Sequence, residues 1–249
     1  MAKPGGAGGS RRRPGRPVRD APARRSARPG TARDGAEKSA GAAPEPSQGA
    51  EPIEGPFVLG VIPGATPGKW IDAWNERMPD VVLELRQIPV AGQREAVLEG
   101  GLDAALVRLP LDREALHVIA LYDEVPVVVA AVESHLMAAD ELSLRDLAGE
   151  IVVVPQDDVL GVEVPGAVAA SFAPPHDTEE AIAIAASGVG FVVVPMSLAR
   201  LHHRKDADYR TLRDGPVSTV ALAWPADRTT PAVEAFVGIV RGRTANSSR

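Results

Sequence analysis

An α/β body behind a low-complexity tail is the fold class the sequence predicts, and three observations predict it. First, short apolar runs recur beyond residue 56, at 57–62, 151–154 and 191–194, with helix-like segments between them. Strands and helices alternating through short connections argue a parallel α/β sheet. Second, from Met1 to about Gly55 the large aliphatics besides Met1 are Val18 and Ile53, and Gly, Pro, Ala, Arg and Ser dominate. Such a stretch cannot bury enough apolar surface to offset roughly 1–2 kcal/mol of backbone ordering per residue, so residues 1–55 read as disordered. Third, hydrophobic residues make up 45% and charged residues 24% of the 249-residue chain, and no run approaches the ~18 apolar residues of a membrane span. A protein without membrane contact follows.

The elements follow in order. Phe57-Val58-Leu59-Gly60-Val61-Ile62 is a near-continuous apolar run, the pattern of a strand covered on both faces. Thr66 then Pro67 signals a helix start, a side-chain oxygen at the N-cap with proline at the first helical position. That helix is expected over Pro67 to Arg77 or Met78, with Trp70 and Trp74 four apart on one face. Val81–Ile88 alternates as a second strand. Gln93–Glu99 reads as a helix stopped by Gly100-Gly101, and Asp103–Arg108 as a third strand. Leu116–Leu121 and Glu124–Val132 are further strands, Pro126 placed at a strand start or edge. Ser143–Leu147 is a short helix, and Ile151–Pro155 a buried strand followed by a loop rich in Asp, Gly and Pro. Asp177 or Thr178 caps a helix ending at Gly188, with Glu179 and Glu180 suiting its dipole. Phe191–Pro195 is a strand, Met196–His203 helical, Val217–Trp224 a strand and Pro231–Arg241 a closing amphipathic helix.

Charge is unevenly spread. Residues 1–55 carry eleven basic and six acidic side chains, a net +5; the rest is −11, giving −6 for the chain. A basic arm on an acidic body suggests a polyanion-seeking tail. The tail is basic to Arg33 and acidic, Ala- and Pro-rich from Asp34, like a spacer. With no cysteine there is no disulfide, thiolate metal site or cysteine nucleophile. The basic N-terminus has no apolar core behind it and is not a secretory signal, so a cytoplasmic protein is expected.

Seven segments carry a resemblance in order: "FVLGVIPGATP", "MPDVVLELRQ", "VLEGGLDAALVRLPLD", "LYDEVPVVVAAVESHLM", "LSLRDLAGEIVVV", "DTEEAIAIAASGVGFVVVP" and "VALAWPADRTTPAVEAFVGIV". The body resembles the effector-binding domain of LysR-type transcriptional regulators, a type 2 periplasmic-binding-protein fold. The resemblance implies a domain over 56–249 in two α/β lobes, each a mixed sheet flanked by helices, joined by two crossover strands. Lobe I would span 57–126 and 221–249, lobe II 127–220. A small-molecule effector would sit between them, and side-by-side homodimers are expected. The family's N-terminal winged helix-turn-helix is replaced here by the low-complexity arm, so its usual operator reading is expected to be missing.

Site candidates sit where strands hand over to helices, the crevice that open α/β sheets use for ligands. Pro63, Gly64 and Thr66 form the first turn; the Thr66 hydroxyl and free amides there suit a carboxylate, or Thr66 merely caps the helix. Arg108 emerges from the "AALVR" strand beside Pro110. It offers a bidentate partner to a ligand carboxylate, or pairs on the surface with Asp112 or Glu114. From the other lobe come Gln156, then His176, Asp177 and Thr178 at a helix start, and Pro195 at a strand end. Asp157 and Asp158 fit loop solvation as well as a site. His202 and His203, adjacent on a helix, point about 100° apart, cannot easily share a metal and read as surface residues. No nucleotide-binding loop, nucleophile elbow, metal or cofactor motif is present.

Three functions stay open. The leading one is a non-catalytic effector-binding domain in transcription-related regulation, closing by a hinge on a small molecule, or else a ligand-free interaction module. The second is a DNA-associated protein. Arg11, Arg12, Arg13 and Arg16 with Pro17 resemble an AT-hook, Pro14 standing at the core's first Arg, and such an arm suits a narrow minor groove nonspecifically. The third is an enzyme on the same fold, such as a dehydratase, whose Thr-Arg-Phe type signature "VRLP" does not supply.

Overall fold

The run that opens the body at Phe57 is the first strand of a two-sheet α/β architecture in the computed structural model, which describes residues 55–242. All of them fall within one unit of the chain, Gly49–Arg249. The Arg-rich segment and the expected disordered tail lie outside the described residues. In chain order the first half gives β1 (Phe57–Val61), α1 (Gly68–Arg77), β2 (Leu83–Gln87), α2 (Gln93–Glu99), β3 (Ala104–Arg108) and β4 (Leu116–Glu124). Next come β5 (Pro126–Ala131), β6 (Glu141–Leu142), β7 (Ile151–Val152), β8 (Val168–Ala169), α3 (Thr178–Ala186) and β9 (Phe191–Pro195). The chain ends with α4 (Met196–Leu201), β10 (Ala207–Leu212), β11 (Ser218–Pro225) and α5 (Pro231–Val240).

The first sheet runs β2-β1-β3-β11-β4, the second β6-β10-β5-β9-β7-β8. The parallel sheet read from strand–helix alternation becomes mixed in both. β1 pairs in parallel with β2 and β3, but the returning β11 lies antiparallel to β3 and β4. In the second sheet β5 is antiparallel to β9 and β10. Local patterning cannot report a strand that returns from over a hundred residues away. The chain changes sheet twice, at Val125 between β4 and β5 and through 213–217 between β10 and β11. β11 thus enters the first sheet at Ser218, ahead of the 220/221 boundary expected between lobes.

Both sheets are buried on two faces. On one face of the first, Phe57, Trp74 and Phe236 stack with ring centroids 4.6–5.9 Å apart, joining β1 to α1 and α5. On the other, Val97 of α2 meets Ile62, Leu102 and Val107. In the second sheet Ile182 and Ala185 of α3 pack with Val127, Val129 and Val192, while Leu136, Leu142 and Phe191 fill the opposite face. Double-sided burial explains why β3, β5 and β9 read as unbroken apolar runs.

Several local expectations change. Pro67, not Thr66, is the N-cap of α1, and no side chain caps that helix. The Pro67 carbonyl already accepts from Trp70 N and Ile71 N, so the helix starts one residue later and Thr66 is left exposed. β4 continues past Leu121 to Glu124 because β11 pairs along it, with an irregularity at Val220/Ala221. β7 is only two residues long; Val153 still donates to Phe191, then Pro155 lacks the donor to go on. β10, "ADYRTL", has no apolar alternation to announce it and forms because β5 templates it from Val127 to Ala131.

Candidate functional site

Two adjoining cavities open between the sheets, at the carboxyl ends of β1 and β3. One, of about 740 Å³, is walled by Pro63, Gln93, Arg94, Arg108 and Pro110 from the first sheet's side and by Gln156, Asp157, Asp177, Thr178 and His202 from the second's. The other, about 1340 Å³, shares Pro63, Gln87, Glu179, Leu201 and His202 and adds Gly64, Thr66, Lys69, Tyr122, Glu124, Ser197 and Arg200. The first volume lies in the range of small-molecule pockets.

The sequence candidates divide between them. Pro63, Arg108, Pro110, Gln156, Asp177 and Thr178 line the smaller cavity, and Pro63, Gly64 and Thr66 the larger. His176 and Pro195 line neither: the His176 side chain is 86% exposed, and Pro195 is buried opposite Pro126 in the β5–β9 pair.

Arg108 is not a surface residue; it is 2% exposed. Its backbone is bracketed by Gln93, whose side chain accepts from Arg108 N and donates to Arg108 O, both at 2.8 Å. One guanidinium nitrogen, Nη1, donates to Glu124 Oε2 at 2.5 Å and Ser218 Oγ at 2.7 Å. The other, Nη2, donates to the Pro63 carbonyl at 3.3 Å and Ser197 Oγ at 3.2 Å. Only Nε–H lacks a partner. The cation is therefore spent inside the protein, on Glu124 rather than on Asp112 or Glu114. Asp112 pairs instead with Arg94, at 3.4 Å. Beside this pair the Tyr122 hydroxyl is pushed above the usual phenol range, by burial first and the Glu124 charge second, with Arg108 opposing.

Across the cleft, Thr178 is buried and donates to Asp157 Oδ1 at 2.9 Å. Asp177 caps α3 by accepting from Glu180 N at 2.9 Å. That backbone bond, then the His176 contact, hold its carboxyl below the ordinary value. Asp158 folds its own turn through Leu160 N and Gly161 N. Gln156 donates to the Pro174 carbonyl at 3.3 Å. His202 is not a surface residue: its side chain is 20% exposed, its Nδ1 3.8 Å from Glu179 Oε2, and it faces both cavities. Among the described residues, Glu95, Asp157, Asp158, Asp177 and Glu179 of the smaller cavity have no Lys or Arg within ion-pair distance, and both its guanidinium groups are already paired.

Sequence reasoning missed Glu124, Ser197, Ser218, Gln93 and His202. The first three stand 16, 89 and 110 residues from Arg108, and no local pattern marks them.

Two sheets joined by two crossings, with a cleft between them at strand ends, define a type 2 periplasmic-binding-protein fold. The structure of the BenM effector-binding domain with its effector benzoate superposes with a TM-score of 0.62 at 19% identity, over 77% of this chain and 96% of that one. The reduced form of the OxyR regulatory domain from Pseudomonas aeruginosa gives 0.60 at 22% identity, over 75% and 97%. The model of the LysR substrate binding domain matches residues 50–245, and the chain belongs to that family. Relatives are transcriptional regulators. CatR of Pseudomonas putida is 28% identical over 183 residues, 66% of this chain and 63% of CatR. HcaR, the hca operon activator of Escherichia coli (strain K12), is 24% identical over 203 residues, 76% of this chain and 68% of HcaR. The chain thus spans about two thirds of the length of these regulators. No helix among the described residues is long and apolar enough to cross a membrane.

Proposed function

We propose that this chain is a non-catalytic effector-sensing domain of a cytoplasmic transcriptional regulator, its two sheet bodies acting as lobes that close on a small molecule. The observation that carries this reading is the 740 Å³ cavity walled from both bodies at strand carboxyl ends. A ligand touching both walls stabilises one inter-lobe angle by its difference in affinity between angles, and by nothing else.

The wall's charge refines the ligand class. BenM carries benzoate, a carboxylate, and the first turn here was expected to suit one. Yet among the described residues five carboxylates of the smaller cavity have no Lys or Arg within ion-pair distance, Arg108 is paired with Glu124, and Arg94 faces a sixth carboxylate of the same wall, Asp112. Like charges 4 Å apart oppose each other by about 1–4 kcal/mol between bulk-water and near-surface screening. A neutral or cationic ligand fits that wall better than an anion. Thermal-shift screening of the full chain against matched carboxylates, neutral sugars and amines tests both statements. At 100 times its dissociation constant a binder adds about 2.7 kcal/mol, so its melting shift stands out. A response to carboxylates alone overturns the charge argument, and a flat panel overturns effector sensing and leaves an interaction module.

A second reading rests on the net +5 of residues 1–55. An arm bearing Arg11, Arg12, Arg13 and Arg16 fits nonspecific DNA contact whose affinity falls steeply with salt. Gel shifts at low and moderate salt, with and without residues 1–55, decide it: equal binding by the shortened chain ends this reading.

A further inference from the structure

We infer that Ser197 is the latch that fixes the angle between the two sheet bodies, acting on a buried ionic knot at their crossings; this rests on the closing-lobe reading above. Arg108 ends β3, Glu124 ends β4 and Ser218 begins β11, so all three belong to the first sheet, and two of them stand at the points where the chain changes sheet. Arg108 binds both crossings at once, Glu124 at 2.5 Å and Ser218 at 2.7 Å, and also the Pro63 carbonyl after β1. These partners move together with the first sheet. Among the described residues, the hydrogen bonds to this knot from the second sheet's side come from Ser197, in the first turn of α4. Its hydroxyl donates to Glu124 Oε2 at 2.9 Å and accepts from Arg108 Nη2 at 3.2 Å.

One hydroxyl therefore both donates to the buried anion and accepts from the buried cation. Rotation of one body against the other breaks both bonds together and leaves two buried charges less satisfied, an arrangement with a defined cost rather than a continuous one. Gly64 makes the same contact sterically. Its φ of +83° is a left-handed turn, and a Cβ there would lie 2.6 Å from Ser197 Oγ and 3.1 Å from Leu198 Cδ2. The first turn is thus seated directly against α4 at the latch, and both line the larger cavity. A molecule entering there competes for, or reinforces, the Ser197 hydroxyl.

The chain has no cysteine, so a spin-label pair can be placed uniquely. With Glu99→Cys on α2 and Glu163→Cys in the loop after β7, both exposed, pulsed electron resonance reads the inter-body distance in the full chain. Ser197→Ala should broaden the distance distribution and shift its mode, while Ser218→Ala, which loses an Arg108 bond within the first sheet, should leave the distribution as it is. Gly64→Ala should reproduce the Ser197→Ala change by wedging α4 away. An unchanged distribution in Ser197→Ala, whatever Gly64→Ala does, or an equal change in Ser218→Ala, overturns the latch. Circular dichroism melts confirm that each variant is folded. The ligand panel fails independently: a silent panel with a Ser197-dependent distance sinks effector sensing and keeps the latch, and a responsive panel with an unmoved distance does the reverse.

Discussion

Trp74 shows how one side chain can close a layer. It is fully buried, stacks on Phe57 at 4.6 Å and meets Phe236 at 5.9 Å, while its indole N–H donates to the Val81 carbonyl at 2.9 Å. The ring thus fills the space between β1, α1 and α5 and satisfies the backbone of the turn into β2. Trp70, one turn earlier on the same face, is half-buried, packs against the same cluster and also lines the larger cavity. Trp74→Ala should cost about 3–5 kcal/mol, the cavity plus the lost transfer energy. Trp74→Phe should cost less, since it keeps the stack and strands only the Val81 carbonyl, about 1–3 kcal/mol. Urea unfolding midpoints rank the two: equal costs would remove the ring stack from the account, and a Trp74→Phe variant as stable as the wild type would remove the hydrogen bond.

At the scale of the element, α3 depends on its cap. Asp177 accepts from Glu180 N, and its carboxyl titrates below the ordinary range because that bond, then the His176 contact, favour the charged form. A depressed folded value means the cap's contribution is present in full above the unfolded value, near 4. It is lost as pH falls through the lower, folded value. Between about pH 5 and pH 2 the wild-type melting temperature should therefore fall more steeply than that of Asp177→Asn, which caps without titrating. Parallel curves would show that the cap bond does not hold the charge. α1 provides the contrast: with Pro67 at the N-cap and no side-chain cap, its start has only the backbone bonds to the Pro67 carbonyl, and the buried Trp74 anchors the helix.

At the scale of the whole molecule, the Arg108–Glu124 pair is a buried ion pair of the first sheet, placed where the chain leaves β4 for the second. Removing one partner leaves the other charge buried alone, so Arg108→Met should cost about 3–5 kcal/mol. The double variant Arg108→Met with Glu124→Leu should recover most of that loss, because two apolar groups replace two desolvated charges. Chemical denaturation in a double-mutant cycle measures the coupling. Additive losses would mean that the pair does not act as a unit. The pair also explains why Arg108 looked like a free ligand donor: a strand-end arginine near a cleft has the same local signature whether a ligand or a distant glutamate neutralises it.

The sequence alone determined the runs that become β1, β3, β5 and β9 and the amphipathic helices α1, α3 and α5, because each is a local pattern of apolar residues or a cap within four positions. It also placed Pro63, Arg108, Pro110, Gln156, Asp177 and Thr178 on one crevice, since strand ends in an open sheet converge. Tertiary structure decided the rest. β10 carries no apolar period and exists by pairing with β5; the mixed sheets depend on β11 returning from the far end of the chain. The charge balance of the cleft was likewise out of reach, because Arg108 is neutralised by Glu124 and latched by Ser197 across separations that no local pattern encodes.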